Sequence, residues 1–216
     1  PAGAMRADLA GGERSGVMVQ HMRLAGSTRQ QGLFAGALHA DEPGHCFLDR
    51  MSDRDVTVIA HQRRLALTDG DLAGSGARRA IGQRIELALW IVDQDGTPLP
   101  GTMVEAWQAN AAGRYMHPND SDHAPADPNF RGAARMLTDR DGCLVLRTVK
   151  PGAYPVPDSG RWWRPPHVHF AVFGRIWLAR MVTQMYFPGE PLNAQDRILQ
   201  SVPSPEARGR LLAHAV

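Results

Sequence analysis

From residue 83 onward, apolar runs of strand length alternate with turns, a texture that few architectures can accept. Arg84 to Val92 has a strong apolar bias and is closed by Asp93-Gln94-Asp95-Gly96, residues suited to a tight hairpin turn. Thr102 to Gln108 alternates, with Val104, Ala106 and Gln108 on one face. Asp139-Arg140-Asp141-Gly142 makes a second turn, and Cys143 to Val149 follows as a strand. Lys150-Pro151-Gly152 ends it, because proline cannot donate to a ladder and glycine permits the bend. His167 to Phe173 and Met181 to Phe187 are the next two strands, with Pro188-Gly189 beyond. Short strands punctuated in this way predict an all-β fold, a two-sheet β-sandwich rather than a βαβ arrangement. Gln195 to Gln200 and Pro205 to Ala213 predict short C-terminal helices. Ser204 caps the second of these, and Pro205 suits its first position.

Residues 1–82 have a different character. They contain no Tyr or Trp and are rich in Gly, Ala, Arg and Asp. Gly11-Gly12 and Gly74-Ser75-Gly76 read as joints, Val56 to Ile59 as a short strand, and Arg63 to Leu67 as its continuation. The expected organisation is an irregular N-terminal arm, 1–82, that packs on the core or on a partner, and a catalytic sandwich, 83–216. A chain of 216 residues that is 43% hydrophobic can build one core with such an extension.

Charge and cysteine content narrow the function classes. The net charge is +2, and Lys150 is the single lysine among 24 basic residues. The arginines are scattered, without a basic run or aromatic-basic interleaving, which argues against nucleic acid. No span has the roughly 18–20 apolar residues of a membrane helix, and no charged leader precedes an apolar run. Cys46 and Cys143 are far apart and form no metal-binding cluster, consistent with reduced thiols in the cytoplasm.

The chemistry concentrates in Trp162-Trp163-Arg164-Pro165-Pro166-His167-Val168-His169-Phe170. Residues two apart on a strand point to the same side, so His167 and His169 can present two imidazoles to one metal ion. Burying both without a metal would leave ring nitrogens in need of partners. Imidazole alone suits zinc, iron, copper or nickel. All three tyrosines, Tyr115, Tyr154 and Tyr186, lie in the same half of the chain, and phenolate ligands near a His-x-His strand point towards iron. A phenol normally ionises near pH 10, but a trivalent metal holds it ionised at neutral pH. Two phenolates and two neutral imidazoles leave one positive charge on Fe(III), which favours a substrate arriving as a catecholate. Tyr115 and Tyr154 lie in loops, whereas Tyr186, between Met185 and Phe187, reads as a core or rim aromatic.

Arg164 is placed to stabilise negative charge on a bound ring, and Gln184 to donate a hydrogen bond into the same pocket. Asp120, Asp122 and Asp127 read as loop caps and arginine partners, and His117 and His123 as alternative ligands. His45 beside Cys46 makes no site, since adjacent strand residues face opposite ways and no third ligand is spaced to help.

Several stretches carry a family resemblance: 104–115 (VEAWQANAAGRY), 127–132 (DPNFRG), 147–155 (RTVKPGAYP), 163–170 (WRPPHVHF) and 183–189 (TQMYFPG). In order and spacing they resemble the intradiol ring-cleaving dioxygenases, over roughly residues 83–213. The resemblance implies a non-haem Fe(III) ion held by Tyr115, Tyr154, His167 and His169. Tyr154 matches the tyrosine that leaves the iron and helps take the catechol proton; Arg164 and Gln184 match pocket residues that steady the activated ring. The implied reaction is cleavage of protocatechuate (3,4-dihydroxybenzoate) by O₂ between its hydroxyls, giving 3-carboxy-cis,cis-muconate. The implied partner is an α-type subunit in a hetero-oligomer, with a homo-oligomer as alternative.

Three features depart from the family pattern. Val156 stands where the protocatechuate branch has a tryptophan, residues 1–82 do not match the usual arm, and no strand is expected after the last helix because the sequence stops at Val216. Competing readings are cleavage of catechol or hydroxyquinol, a non-catalytic β-sandwich subunit, and a two-histidine Fe(II) or zinc enzyme using a nearby aspartate.

Overall fold

The computed structural model describes residues 16–24, 70–74, 78–93, 96–117, 120, 123–157, 159–174 and 180–215. The strand expected at 56–59, its continuation at 63–67, the joint at 11–12 and the His45–Cys46 pair lie outside them. Ten strands occur among the described residues: β1 (Gly16–Leu24), β2 (Arg84–Asp93), β3 (Met103–Trp107), β4 (Ala133–Leu137) and β5 (Cys143–Val149), then β6 (Tyr154–Pro155), β7 (Trp163–Arg164), β8 (His167–Phe173), β9 (Arg180–Tyr186) and β10 (His214–Ala215). A 3₁₀ turn (Pro191–Gln195) and two short helices, α1 (Arg197–Gln200) and α2 (Pro205–Gly209), fall between β9 and β10.

The strands form two four-stranded sheets, β10-β1-β2-β5 and β4-β3-β8-β9, with a small β6-β7 ladder beside them. Pairing is antiparallel except between β1 and β2, which run parallel from Gly16↔Ile85 to Leu24↔Asp93. The expected all-β sandwich is therefore what forms. Alternation on β2 buries Ile85, Leu87, Leu89 and Ile91, which meet Val104 and Ala106 of β3 and Val168, Phe170 and Val172 of β8. Each fully buried aliphatic side chain contributes about 1.5–3 kcal/mol, so this layer carries much of the fold's stability.

β8 is buried on both faces. One face supplies that core; His167, His169 and Ala171 lie on the other, where Trp107, Ala109, Tyr115 and Tyr154 pack with Ala171 as a second apolar cluster. The functional side chains thus sit on the outer face of the second sheet.

Several local expectations are corrected. The hairpin expected at 93–96 forms but is short: Gly96 N donates to Asp93 O at 3.1 Å, and Asp93 N to Thr97 O and Leu99 N to Ile91 O, both at 2.9 Å, flank an antiparallel Val92–Pro98 bridge. The chain then crosses to the second sheet. β4 was not anticipated, because Ala-Ala-Arg-Met-Leu has helix-forming composition; pairing along β3 from Met103↔Leu137 to Trp107↔Ala133 overrides that preference. α2 stops at Gly209 rather than reaching Ala213, and Ser204 Oγ accepts from Ala207 N at 3.2 Å as its cap. β10 follows α2 where no strand was expected, pairing with β1.

Part of the segment before residue 83 enters the sandwich. Leu72 N donates to Arg147 O at 2.7 Å and Arg147 N donates to Gly70 O at 2.7 Å, which extends the first sheet beyond β5. Leu72 and Ala73 are each 1% exposed within the main core.

Candidate active site

Four side chains predicted from the sequence converge on one point. His167 Nε2 and His169 Nε2 are 3.0 Å apart. Tyr115 Oη lies 3.1 Å from His169 Nε2, Tyr154 Oη lies 3.4 Å from His167 Nε2, and the two phenolic oxygens are 3.4 Å apart. All four residues are buried, the most exposed being Tyr154 at 7%.

Strand geometry delivers the histidines. Both lie on the outward face of β8, and β3 brings Trp107 opposite His169, where the indole stacks on the imidazole at 4.8 Å and 7°. Pro165, which precedes the strand and is held stiff by its ring, presents its carbonyl to His167 Nδ1 at 2.7 Å. A carbonyl can only accept, so the His167 proton sits on Nδ1, and Nε2 offers its lone pair to the centre. Burial, reinforced by the Arg164 guanidinium, holds the pKa of both histidines well below the usual value. Both imidazoles are neutral at pH 7, the form that ligates metals.

Tyr115 arrives on a loop, whereas Tyr154, expected in a loop, opens β6 opposite Arg164; the loop that leads into β6 grips the loop of Tyr115. In the Tyr115 loop, Asn110 Oδ1 accepts from Ala112 N at 2.9 Å and Arg114 N at 3.0 Å, while Asp120 Oδ2 accepts from Tyr115 N at 2.9 Å. In the loop leading into β6, Gly152 N donates to Asn110 O at 2.9 Å. A Cβ on Gly113 would lie 2.3 Å from Ala153 O, and one on Gly152 would lie 2.5 Å from Ala111 O. Glycine at both positions lets the backbones approach closely enough to set the two phenols against each other.

Arg164 and Gln184 join the same face. Arg164 is 2% exposed, and its Nε donates to Asp196 Oδ2 at 2.7 Å. Its Nη2 donates to Gln184 Oε1 and, at 3.2 Å, to Tyr186 Oη. Gln184 is the register partner of His169 on β9. Six sequence-predicted residues therefore come together: Tyr115, Tyr154, Arg164, His167, His169 and Gln184.

Other candidates take different places. His117 and His123 are not among the converging side chains; His123 is exposed, and the His117 carbonyl accepts from Asp120 N at 3.0 Å. Asp127 caps its loop by accepting from Asn129 N at 2.9 Å and from Ile81 N at 2.6 Å. Among the described residues no group of three His, Cys, Asp or Glu side chains could hold a metal, so no described carboxylate joins the histidine pair. The sequence reading missed Asp196 and Trp107, and it took Tyr186 for a packing aromatic. Asp196, which the expected helix over 195–200 would enclose, is instead the cap of α1, accepting from Leu199 N at 2.7 Å. Nothing in the local pattern reports its second bond to Arg164.

Two lone-pair nitrogens and two phenolic oxygens, buried and within 3.0–3.4 Å of one another, form a donor set that fits a trivalent metal.

The family profile described as Dioxygenase matches residues 60–215. Over 167 residues the chain is 48% identical to the protocatechuate 3,4-dioxygenase beta chain of Burkholderia cepacia, covering 76% of this chain and 70% of that one. It is 33% identical over 140 residues to the protocatechuate 3,4-dioxygenase alpha chain of the same organism, covering 63% of this chain and 66% of that one. Among solved structures, 3-chlorocatechol 1,2-dioxygenase from Rhodococcus opacus 1CP superposes with a TM-score of 0.54 at 24% identity, covering 75% of this chain and 69% of that chain. That likeness is one of fold.

Proposed function

The chain belongs to the intradiol ring-cleaving dioxygenases, and from that premise we propose that its substrate is protocatechuate, opened by O₂ to 3-carboxy-cis,cis-muconate. The observation that carries this reading is the convergence of Tyr115, Tyr154, His167 and His169 at 3.0–3.4 Å in a buried site. These four would hold a non-haem ferric ion. When bound, Fe(III) supplies the positive charge that keeps phenolates ionised and withdraws electron density from a catecholate.

The remaining work falls to the chain's own groups. Tyr154, at the start of β6, is the phenolate assigned to take a proton from an incoming catechol hydroxyl. Arg164 provides a fixed positive charge towards negative charge developing on the ring, held by Asp196 so that it need not reorganise during reaction. Gln184 supplies amide donors beside His169. Burial of the cluster excludes water, which strengthens each of these interactions.

Substrate preference for protocatechuate is supported by the 48% identity to a beta chain that carries that name. Similarity to an alpha chain as well supports an α-type partner closing the pocket in a hetero-oligomer. Residues 83–216 would form the catalytic core, with 1–82 packing against it, in line with the burial of Leu72 and Ala73. A cytoplasmic location accords with two widely spaced cysteines. Among the described residues no helix is long and apolar enough to cross a membrane.

The test is metal content and visible spectrum, measured anaerobically with and without 3,4-dihydroxybenzoate, catechol and hydroxyquinol. Near-stoichiometric iron, a red-brown tyrosinate band and a shift with 3,4-dihydroxybenzoate are expected. A shift only with catechol or hydroxyquinol transfers the substrate assignment to them, and Val156 is the first pocket difference to revert. Protein that stays colourless after iron reconstitution refutes the ferric site. Tyr154→Phe should weaken the band and slow turnover; an unchanged spectrum and rate would remove Tyr154 from the ligand set.

A further inference from the structure

Tyr186 has a polar role that neither its sequence context nor the ligand set assigns. Its ring is 0% exposed and lies against the His167 imidazole, with centroids 5.8 Å apart and planes 30° apart. Its hydroxyl closes a triangle with two pocket residues, accepting from Arg164 Nη2 at 3.2 Å and donating to Gln184 Oε1 at 2.9 Å. Arg164 Nη2 donates directly to the same Gln184 oxygen. The guanidinium is also anchored through Nε, which donates to Asp196 Oδ2 at 2.7 Å.

The chemistry of the donors fixes the amide. A guanidinium has no acceptor, so the atom of Gln184 that faces it must be oxygen. With one lone-pair direction of Oε1 used by Arg164, the Tyr186 hydroxyl takes the other and holds the amide plane. Gln184 Nε2 makes no hydrogen bond among the described residues, so its two N–H groups remain for a ligand. A glutamine held by one donor can pivot about that contact; one held by two donors at an angle cannot.

We propose that Tyr186 is a positioning residue for ring cleavage. Its hydroxyl locks the Gln184 amide against Arg164 so that Nε2–H is presented to the substrate ring. The inference rests on the catechol-cleaving reading above and adds to it a residue outside the metal ligands. A positioning role of this kind acts on the chemical step more than on binding, because chelation of the catechol dominates affinity while the amide responds to charge that develops later.

The experiment is a double-mutant cycle in the iron-loaded protein, assembled with its partner subunit if it has one. Tyr186→Phe keeps the ring that packs on His167 and removes only the hydroxyl. Iron content, the tyrosinate band and the anaerobic dissociation constant for 3,4-dihydroxybenzoate should stay within twofold of wild type, while kcat falls about tenfold. In a Gln184→Ala background the same change should have almost no further effect on kcat, because the group it orients is gone. Wild-type kcat in Tyr186→Phe overturns the proposal. So do multiplicative effects in the double variant, or a loss of iron that accounts for the whole decline. If the wild-type protein neither binds nor opens a catechol, the ring-cleaving reading itself is refuted and the role of Tyr186 falls with it.

Discussion

Replacing Gly152 with alanine tests whether the Tyr115 loop and the loop leading into β6 hold each other in place. The added Cβ would sit 2.5 Å from Ala111 O, 2.6 Å from Gly113 N and 3.0 Å from Ala111 C. All three are backbone atoms, so no flexible side chain can swing away. Ordinary contact begins near 3.4 Å, so the loops must part by about 0.9 Å, a displacement in the range where overpacking costs about 1–3 kcal/mol. The bond from Gly152 N to Asn110 O, now 2.9 Å, would stretch with them, adding about 1 kcal/mol. The combined loss of about 2–4 kcal/mol should lower Tm by about 5–15 °C for a chain of this size. Because the same separation moves Tyr154 away from Tyr115, turnover should fall by up to about 100-fold, the usual consequence of an ångström of misplacement. Gly209→Ala is the matched control, with nothing within 4 Å of its added Cβ. Thermal unfolding by circular dichroism, the tyrosinate band and steady-state ring cleavage would be measured on both variants. A Gly152→Ala protein that melts within 1 °C of wild type and turns over normally would show that the loops are not interlocked as argued.

Four further outcomes are expected. Asp196→Asn keeps the cap on Leu199 but removes the carboxylate charge paired with the buried Arg164 guanidinium; about 3–5 kcal/mol should be lost in a urea titration. Glu86→Gln, which breaks a half-exposed pair with Arg147, should cost less than about 1 kcal/mol in the same urea titration, and equal losses would contradict the burial argument. Stability should decline as pH falls below about 6.5, because the unfolded chain then protonates His167 and His169 while the native state keeps both neutral far lower. Urea midpoints at pH 7.5, 6.0 and 5.0 check the sign, and a midpoint that rises on acidification would refute it. His169→Ala should cost most of the bound iron, read by metal analysis alongside Tm; full ferric occupancy would exclude it as a ligand.

The sandwich was legible because its cause is local. The apolar bias of 84–92, the alternation on 102–108, and the turns at 93–96 and 139–142 each act over a few residues, and the observed strands fall where they point. Failures occurred where a distant partner overrode local preference. Ala133–Leu137 is a strand because β3 offers an unpaired edge, and β1, in a segment the sequence reading left unassigned, lies parallel to β2.

The site divides in the same way. Two histidines separated by one residue must share a strand face, so the pairing of His167 with His169 follows from sequence alone; Tyr154, expected within a Pro/Gly loop, instead opens β6 opposite Arg164. The meeting of those histidines with Tyr115, of Gln184 with Arg164 and Tyr186, and of Asp196 with Arg164 was decided by the register between strands and the packing of loops at one end of the second sheet. Residues 32 apart, such as Arg164 and Asp196, have no periodicity in common. Their contact is a sum of many pairings elsewhere, and it exists only once the sheets have closed over the core.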